Sequence, residues 1–283
     1  YMTLIFLNFI LKKMKNYLNN FKLKNKKSLI IGGCGLIGEN ICESFLSAGS
    51  RVTVLDFDKK KGNLLKKKFK NLKFTFKFFD LSKLESLENN IKYFFKKNGC
   101  PDIFVNCSYP VTKDWKLSSF KKNKLEILRK NIDINLNSGT WLAYKTCEKM
   151  REKKIKGSVI LFGSTYGFLG QNMFLYKDTT MSENMNYSII KGGLINFSRQ
   201  LASYYGKFGI RINTISPGGI LGHVKGSKKR QDKKFLQRYS ALCPMKRLAT
   251  PEEIANSTLF LASDASTYIT GTNFVVDGGW SII

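Results

Sequence analysis

A single α/β domain, a doubly wound parallel sheet of about seven strands, is predicted from three observations. Apolar runs alternate with amphipathic stretches along the whole chain, the order produced by βαβ units. A glycine-rich turn, Gly32-Gly-Cys-Gly-Leu-Ile-Gly38, separates the first apolar run from the first amphipathic one. The 283 residues, 43% of them hydrophobic, suffice for one large core and show no internal repeat, linker or second compositional block.

The elements follow in order. The apolar run 28–31 is the first strand, and the periodic stretch 36–48 behind the glycines is the first helix. Residues 51–55 form the second strand, closed by Asp56. Residues 72–79 form a third, less pure because lysines interrupt it. The fourth and fifth strands are expected at 102–106 and 158–162, with 121–153 between them mostly one long helix. A helix carrying Tyr187 and Lys191 runs to about Tyr205 and precedes the sixth strand, 210–215. The seventh strand is 273–276.

The glycine turn has a physical purpose beyond punctuation. Glycines there permit a tight turn, let backbone approach a pyrophosphate, and allow the helix to pack closely on the strand. The N-terminus of that helix favours an anion. Gly32, Gly35, Leu36, Ile37 and Gly38 are therefore the candidate dinucleotide cradle. Asp56, ending the second strand, can accept hydrogen bonds from the adenosine ribose hydroxyls and repels a 2′-phosphate. The Rossmann-like pattern thus favours NAD(H) as cofactor. NADP(H) is the alternative, because Lys59, Lys60 and Lys61 follow closely.

In Asn186-Tyr-Ser-Ile-Ile-Lys-Gly-Gly193, Tyr187 and Lys191 lie four apart, so a phenol and an ammonium share one helix face. A nearby cation stabilises phenolate and should lower the Tyr187 pKa from its ordinary value of about 10. Ser164 ends the fifth strand in Phe162-Gly-Ser-Thr-Tyr-Gly167.

Together these features resemble the short-chain dehydrogenase/reductase family, from about Lys24 to Ile282. The family's turn reads Thr-Gly-x-x-x-Gly-x-Gly; here Ile31 stands at the Thr position and Leu36 at the middle Gly, with Gly35 one place earlier. Phe79-Asp80-Leu81 resembles the adenine-contacting segment after the third strand, which adds Asp80 and Leu81 to the cofactor set. Asn106-Cys-Ser-Tyr109 stands where the family has Asn-Asn-Ala-Gly; only Asn106 matches, and Tyr109 narrows a small-residue loop. Ser216-Pro-Gly-Gly-Ile220 matches the nicotinamide-side loop, giving Pro217, Gly218 and Ile220, while Gly222 replaces a common Thr. The C-terminal Tyr268-Ile-Thr-Gly and Val276-Asp-Gly-Gly-Trp280 are also family-like.

The resemblance implies a catalytic set of Asn135, Ser164, Tyr187 and Lys191, with Tyr187 and Lys191 also touching the cofactor. Ser164 would stabilise a developing oxyanion, Tyr187 move the proton, and Lys191 hold the ribose and lower the Tyr187 pKa. Asn135, in Asn131-Ile-Asp-Ile-Asn-Leu136, would anchor a water linking Lys191 to solvent. Thr165 competes for the Ser164 role and Asn131 for that of Asn135; alignment on Gly167 selects Ser164, and the motif fits Asn135 better. The runs around Ser164, Tyr176, Tyr187 and Val276 further resemble a bacterial subgroup encoded with flagellin-glycan and legionaminic-type nonulosonic acid pathways.

Residues 168–186 exceed what a minimal member needs and carry Phe174, Tyr176, Asp178, Thr179, Thr180 and Glu183. That mixture suits a hydroxyl-rich ligand, so the expected activity is hydride transfer on a polar small molecule such as a sugar or sugar nucleotide. A 3-oxoacyl-acyl-carrier-protein reductase is the alternative within the enzymes. A non-catalytic dinucleotide-binding regulator is the alternative outside them, and the complete Ser164, Tyr187 and Lys191 set argues against it. His223, after the Pro217 loop, is a further candidate for substrate contact.

The formal net charge of +28 invites a nucleic-acid reading. However, the lysines are spread along the chain and do not interleave with aromatics as RNA-binding modules require. Solvated helix faces explain them, with attraction for anionic substrates as the residue. Six scattered cysteines and a single histidine offer no zinc pattern; reduced thiols in a cytoplasmic protein are the expectation. The apolar stretch 3–11 is shorter than the about 20 residues a span needs and has cations on the wrong side for a signal peptide. No stable membrane insertion is expected. Residues 1–23 read as a leader, with Met14 as the start of translation, before a catalytic domain over 24–283. Leu136, Trp141, Leu142, Tyr144 and Cys147, with Leu194, Phe197, Leu201 and Tyr204, suggest a homo-tetramer or dimer paired through these two helices.

Overall fold

Strands β1 (Lys27–Ile31), β2 (Arg51–Asp56), β3 (Phe74–Phe78), β4 (Ile103–Asn106), β5 (Ser158–Phe162), β6 (Arg211–Pro217) and β7 (Asn273–Val276) form one sheet. Every pairing is parallel, in the order β3-β2-β1-β4-β5-β6-β7. This computed structural model describes residues 16–222 and 231–283. Residues 1–15 of the expected leader over 1–23, Met14 among them, and His223 lie outside the described residues.

The central strands are apolar because both sheet faces are covered. All five residues of β5 and all four of β4 are buried. Helices α1 (Leu36–Ser47), α2 (Lys59–Lys68) and α8 (Pro251–Ala262) cover one face, through Ile41, Phe45, Leu65 and Ile254. Helices α3 (Leu84–Asn98), α5 (Ser138–Glu152) and α6 (Met185–Tyr205) cover the other, through Ile91, Leu142, Ile190 and Leu201. Among the described residues the remaining α-helices are α4 (Leu125–Ile132), which leads into α5, and α7 (Lys233–Leu242). Helix α7 joins Leu175, Leu248 and Trp280 in a smaller apolar cluster.

Several expectations are adjusted. Strand β3 shrinks to five residues at the sheet edge, where among the described residues only β2 pairs with it. Strand β6 extends to Pro217, whose missing N–H sits at the strand end. The long helix expected over 121–153 starts at Leu125 and stays helical to Glu152, with a π-turn, Asp133–Asn137, between α4 and α5. Leu142, Cys147, Leu194 and Leu201, expected at an oligomer surface, belong to the core, since α5 and α6 pack on each other as well as on the sheet. Trp141 and Tyr204 remain exposed.

The strand order reverses between β1 and β4. A crevice therefore opens beyond the carboxyl ends of these strands, the place where open α/β sheets hold ligands.

Candidate active site

β1 delivers Gly32 with φ +81°, a conformation natural to glycine, and a Cβ there would meet the Ser108 backbone at 2.6 Å. Gly38, in the first turn of α1, presses on Gly32; a Cβ on it would lie 2.3 Å from the Gly32 carbonyl oxygen. Gly35 is the N-cap of α1, so the Leu36, Ile37 and Gly38 amides open a helix whose first N–H groups lack internal partners. These residues fit a dinucleotide pyrophosphate: Gly32 and Gly38 leave no room for a side chain, and no side chain caps the first turn of α1.

Asp56 is buried at the end of β2. Its Oδ2 accepts the Cys34 N–H at 3.0 Å and its Oδ1 the Asp58 N–H at 3.0 Å. Each oxygen keeps capacity for one more donor. A cavity of about 880 Å³ opens beside it, lined by Gly32, Asp56, Asp80, Leu81, Ser108 and Lys113 among others. Asp80 caps the next turn through Ser82, whose N–H and O–H donate to its Oδ1 at 2.9 and 2.7 Å. Of the lysines that follow Asp56, Lys61 pairs with Glu39 at 3.1 Å and Lys59 sits 4.5 Å over the Phe78 ring.

Asn106 ends β4, and its Oδ1 accepts both the N–H and the O–H of Ser108, at 3.2 and 2.6 Å. On the opposite side, Pro217 ends β6 and starts the glycine loop. The Gly219 N–H donates to Tyr239 Oη at 2.6 Å, and Ile220 bridges to Ala249. A Cβ on Gly218 would lie 2.8 Å from that same hydroxyl, so Tyr239 holds the loop where a side chain has no room.

The structure brings Ser164, Tyr187 and Lys191 together. Ser164 follows β5 and its Oγ accepts the Tyr166 N–H at 3.2 Å. Asn184 caps α6, its side chain accepting the Tyr187 N–H at 2.9 Å. Lys191 is buried on α6 and donates from Nζ to the Phe162 carbonyl at 2.7 Å. Gly167 lies against the Lys191 backbone, which seats the Ser164 turn on α6. Thr165 is buried in that turn.

Electrostatics differ from expectation. Burial raises the Tyr187 pKa, and the effect that lowers it is the Ser164 hydroxyl, not the lysine. The Lys191 ammonium sits 5.5 Å over the Tyr187 ring and 5.0 Å over the Tyr109 ring, committed to a carbonyl. Burial lowers its own pKa to about 8.

Asn135 lies within the π-turn, a distortion frequent at functional sites. Its Nδ2 donates to the Asn131 carbonyl at 3.2 Å and the Pro110 carbonyl at 3.3 Å, while its Oδ1 is buried without a partner. Asn131 donates to the Ile127 carbonyl at 2.8 Å and accepts from Thr112 at 3.4 Å. The open acceptor therefore belongs to Asn135.

Sequence reasoning did not place Tyr166 or Trp115 here, and treated Tyr109 only as an obstruction. The Tyr109 ring meets Tyr187 edge-on at 5.1 Å and Trp115 at 5.1 Å. Their loop is pinned to the start of α6: Met185 N–H donates to the Ser118 carbonyl at 2.9 Å, and Asn123 donates to Asn186 Oδ1 at 2.7 Å. These partners lie far apart in sequence, Asn123 and Asn186 by 63 positions, and no local signal announces them.

Among the described residues, no group of three or more His, Cys, Asp or Glu is placed to hold a metal ion, and no helix is long and apolar enough to cross a membrane.

A dinucleotide cradle at the switch point of a parallel sheet, beside a Ser–Tyr–Lys group, is the arrangement of a nicotinamide-dependent oxidoreductase. The chain belongs to the short-chain dehydrogenase/reductase family. A family model described as enoyl-(acyl carrier protein) reductase matches residues 35–281. The chain is 32% identical to the post-translational flagellin modification protein A of Campylobacter coli over 92% of this chain and 100% of that protein. It is 30% identical to a 3-oxoacyl-(acyl-carrier-protein) reductase FabG of Chlamydia muridarum, covering 92% and 99%. A crystal structure of a short chain dehydrogenase from Leptospira borgpetersenii with bound NAD+ superposes with a TM-score of 0.78 at 30% identity, covering 95% and 96%.

Proposed function

We propose that the protein transfers hydride to or from a carbonyl or hydroxyl carbon of a polar substrate, a sugar or sugar nucleotide of surface-glycan biosynthesis, with NAD(H). The observation that carries this reading is the grouping of Ser164, Tyr187 and Lys191 at the strand ends beside the Gly32–Gly38 cradle. When bound, the nicotinamide supplies or accepts the hydride. Gly32, Gly35, Leu36, Ile37 and Gly38 hold the pyrophosphate, and Asp56, Asp80 and Leu81 hold the adenosine. Asn106, Pro217, Gly218 and Ile220 flank the nicotinamide end. Ser164 Oγ donates to the substrate oxygen as negative charge develops there. Tyr187 moves the proton at that oxygen, Lys191 turns to the ribose, and Asn135 Oδ1 accepts from a water that reaches Lys191.

The flagellin-modification relative supports the glycan setting. In the 168–186 loop, Thr180 donates to Asp232, and Arg238 donates to the Phe174 and Lys177 carbonyls, so part of its polarity holds the loop to α7. The acyl-carrier-protein reductase relative and the net charge of +28 favour a second reading, a 3-oxoacyl thioester substrate. Steady-state rates with NADH on keto-sugar nucleotides and on acetoacetyl-CoA separate the two. Faster turnover of the thioester defeats the sugar reading.

NAD(H) is expected to bind at least tenfold more tightly than NADP(H), about 1.4 kcal/mol, because Asp56 meets the ribose and Lys59 and Lys61 are engaged elsewhere. Asp56→Ala should narrow or reverse that ratio, as read by fluorescence titration. A wild-type preference for NADP(H) would overturn the assignment.

We also propose a homo-oligomer, most simply a tetramer, in which the exposed Trp141 and Tyr204 on α5 and α6 are covered. Light scattering at physiological salt checks it, and a monomer at micromolar protein contradicts it.

A further inference from the structure

The two buried side chains of α7, Phe235 and Tyr239, belong to an apolar cluster separate from the two that hold the strands. One flank of the helix grips the segment 174–180. Arg238 donates to the Phe174 carbonyl at 2.9 Å and to the Lys177 carbonyl, and its guanidinium lies 4.7 Å over the Phe174 ring. Asp232, which caps α7, accepts the Thr180 N–H and O–H at 3.0 and 3.2 Å. The Phe235 ring meets Tyr176 at 5.7 Å. This segment lies in the loop that leaves the Ser164 turn and returns to Tyr187, where Gln171 Oε1 accepts the Asn184 N–H at 2.9 Å.

The other flank grips the glycine loop after β6. Tyr239 Oη accepts the Gly219 N–H at 2.6 Å, and Gln231, just before the helix, donates to the Ile220 carbonyl at 2.9 Å. A Cβ on Gly218 or on Gly219 would lie 2.8 Å from a Tyr239 atom, so the ring and the loop backbone are in direct contact. The Tyr239 ring is in turn stacked on Trp280, with centroids 4.2 Å apart and planes at 8°. The loop has one more tie, from the Ala249 N–H to the Gly219 carbonyl at 2.9 Å.

Resting on the oxidoreductase reading above, we propose that Tyr239 is a positioning residue, the link through which the nicotinamide-side loop and the loop between Ser164 and Tyr187 are set relative to each other. A dinucleotide that fixes the backbone at Gly219 holds the Tyr239 hydroxyl, and through it α7. The segment 174–180, hung on the opposite flank of the same helix, then opens less often. The second reactant meets a completed site only when the nicotinamide loop is loaded. Such coupling is reciprocal: a ligand that fixes 174–180 tightens dinucleotide binding by the same factor.

The test is hydrogen–deuterium exchange of the full chain, with and without saturating NADH or NADPH, whichever binds, in wild type, Tyr239→Phe and Arg238→Ala. Tyr239→Phe keeps the ring on Trp280 and removes only the acceptor for Gly219. Arg238→Ala cuts the opposite flank and leaves that bond in place, so the two variants reach the same link from different ends. In wild type the dinucleotide should slow exchange at 32–38, at 218–222 and, by about threefold or more, the scale of one hydrogen bond's net contribution, at 174–180. Both variants should keep the slowing at 32–38 and lose it at 174–180. A purely structural role for Tyr239 would raise exchange without ligand yet leave the dinucleotide-induced slowing at 174–180 intact, and that result overturns the proposal. Wild-type slowing at 32–38 with none at 174–180 overturns it as well. Failure of the cofactor reading shows separately, as no slowing at 32–38 with either dinucleotide, and the proposal falls with it.

Discussion

Tyr187→Phe is expected to lower turnover by about 10² to 10⁴-fold, the range general acid–base catalysis contributes, while dinucleotide affinity stays nearly intact. The substitution removes one oxygen and keeps the ring, so the edge-on contacts to Tyr109 and Trp115 persist. Lys191 keeps its carbonyl partner, Phe162, and remains available to the ribose. Only the group that moves the proton is lost. The direction of the Tyr187 pKa adds a second readout. Burial holds the phenol protonated at neutral pH, so it is poised as an acid for carbonyl reduction. Alcohol oxidation requires the phenolate and should accelerate as pH rises, whereas reduction should not. Near-wild-type rates in Tyr187→Phe, or oxidation that is flat through alkaline pH, would remove Tyr187 from the chemistry.

Much of the site was legible because short spacings carried it. The four-residue step from Tyr187 to Lys191 works on any helix, and the Gly32–Gly38 turn needs only a strand before it and a helix after it. Asp56 followed from the same logic, as the last residue of a buried strand. What the sequence withheld was long-range. Tyr109, Trp115 and Tyr166 converge on Tyr187 through loops whose paths no periodicity specifies. The π-turn at Asn135 escaped notice because it is a change of backbone hydrogen-bond partner over five residues, Asp133–Asn137, too short a stretch for side-chain periodicity to report. Leu142, Cys147, Leu194 and Leu201 looked like surplus apolar surface because a helix packed on both a sheet and another helix needs more than one apolar stripe. Burial also reversed an electrostatic expectation: the ammonium lies near Tyr187, but desolvation raises the phenol's pKa and the Ser164 hydroxyl, not the lysine, opposes it.

That desolvation gives Lys191→Met two effects of opposite sign. Dinucleotide affinity and turnover should both fall, since the ammonium serves the ribose and the Tyr187 site. Stability at neutral pH should rise. In the fold the Lys191 pKa is depressed from 10.5 to about 8, so the protein carries a penalty for keeping this group charged below that pH. The difference of roughly 2.5 units corresponds to about 3 kcal/mol. Loss of the donor to the Phe162 carbonyl offsets about 1 kcal/mol, leaving a net gain of about 2 kcal/mol for the Met variant. The sign with pH follows from proton counting. Between pH 8 and 10.5 the unfolded chain holds the Lys191 proton and the folded chain does not, so this group's contribution rises with pH across that window. Buried phenols and thiols with raised pKa values act oppositely at alkaline pH, as for Tyr239 and Cys42. The informative quantity is therefore the difference between wild type and variant, in which they cancel. Urea unfolding at pH 7 and pH 10 should show the variant's advantage shrinking as pH rises. A variant less stable than wild type at pH 7, or an advantage independent of pH, would mean that Lys191 is stabilised by its surroundings as a cation.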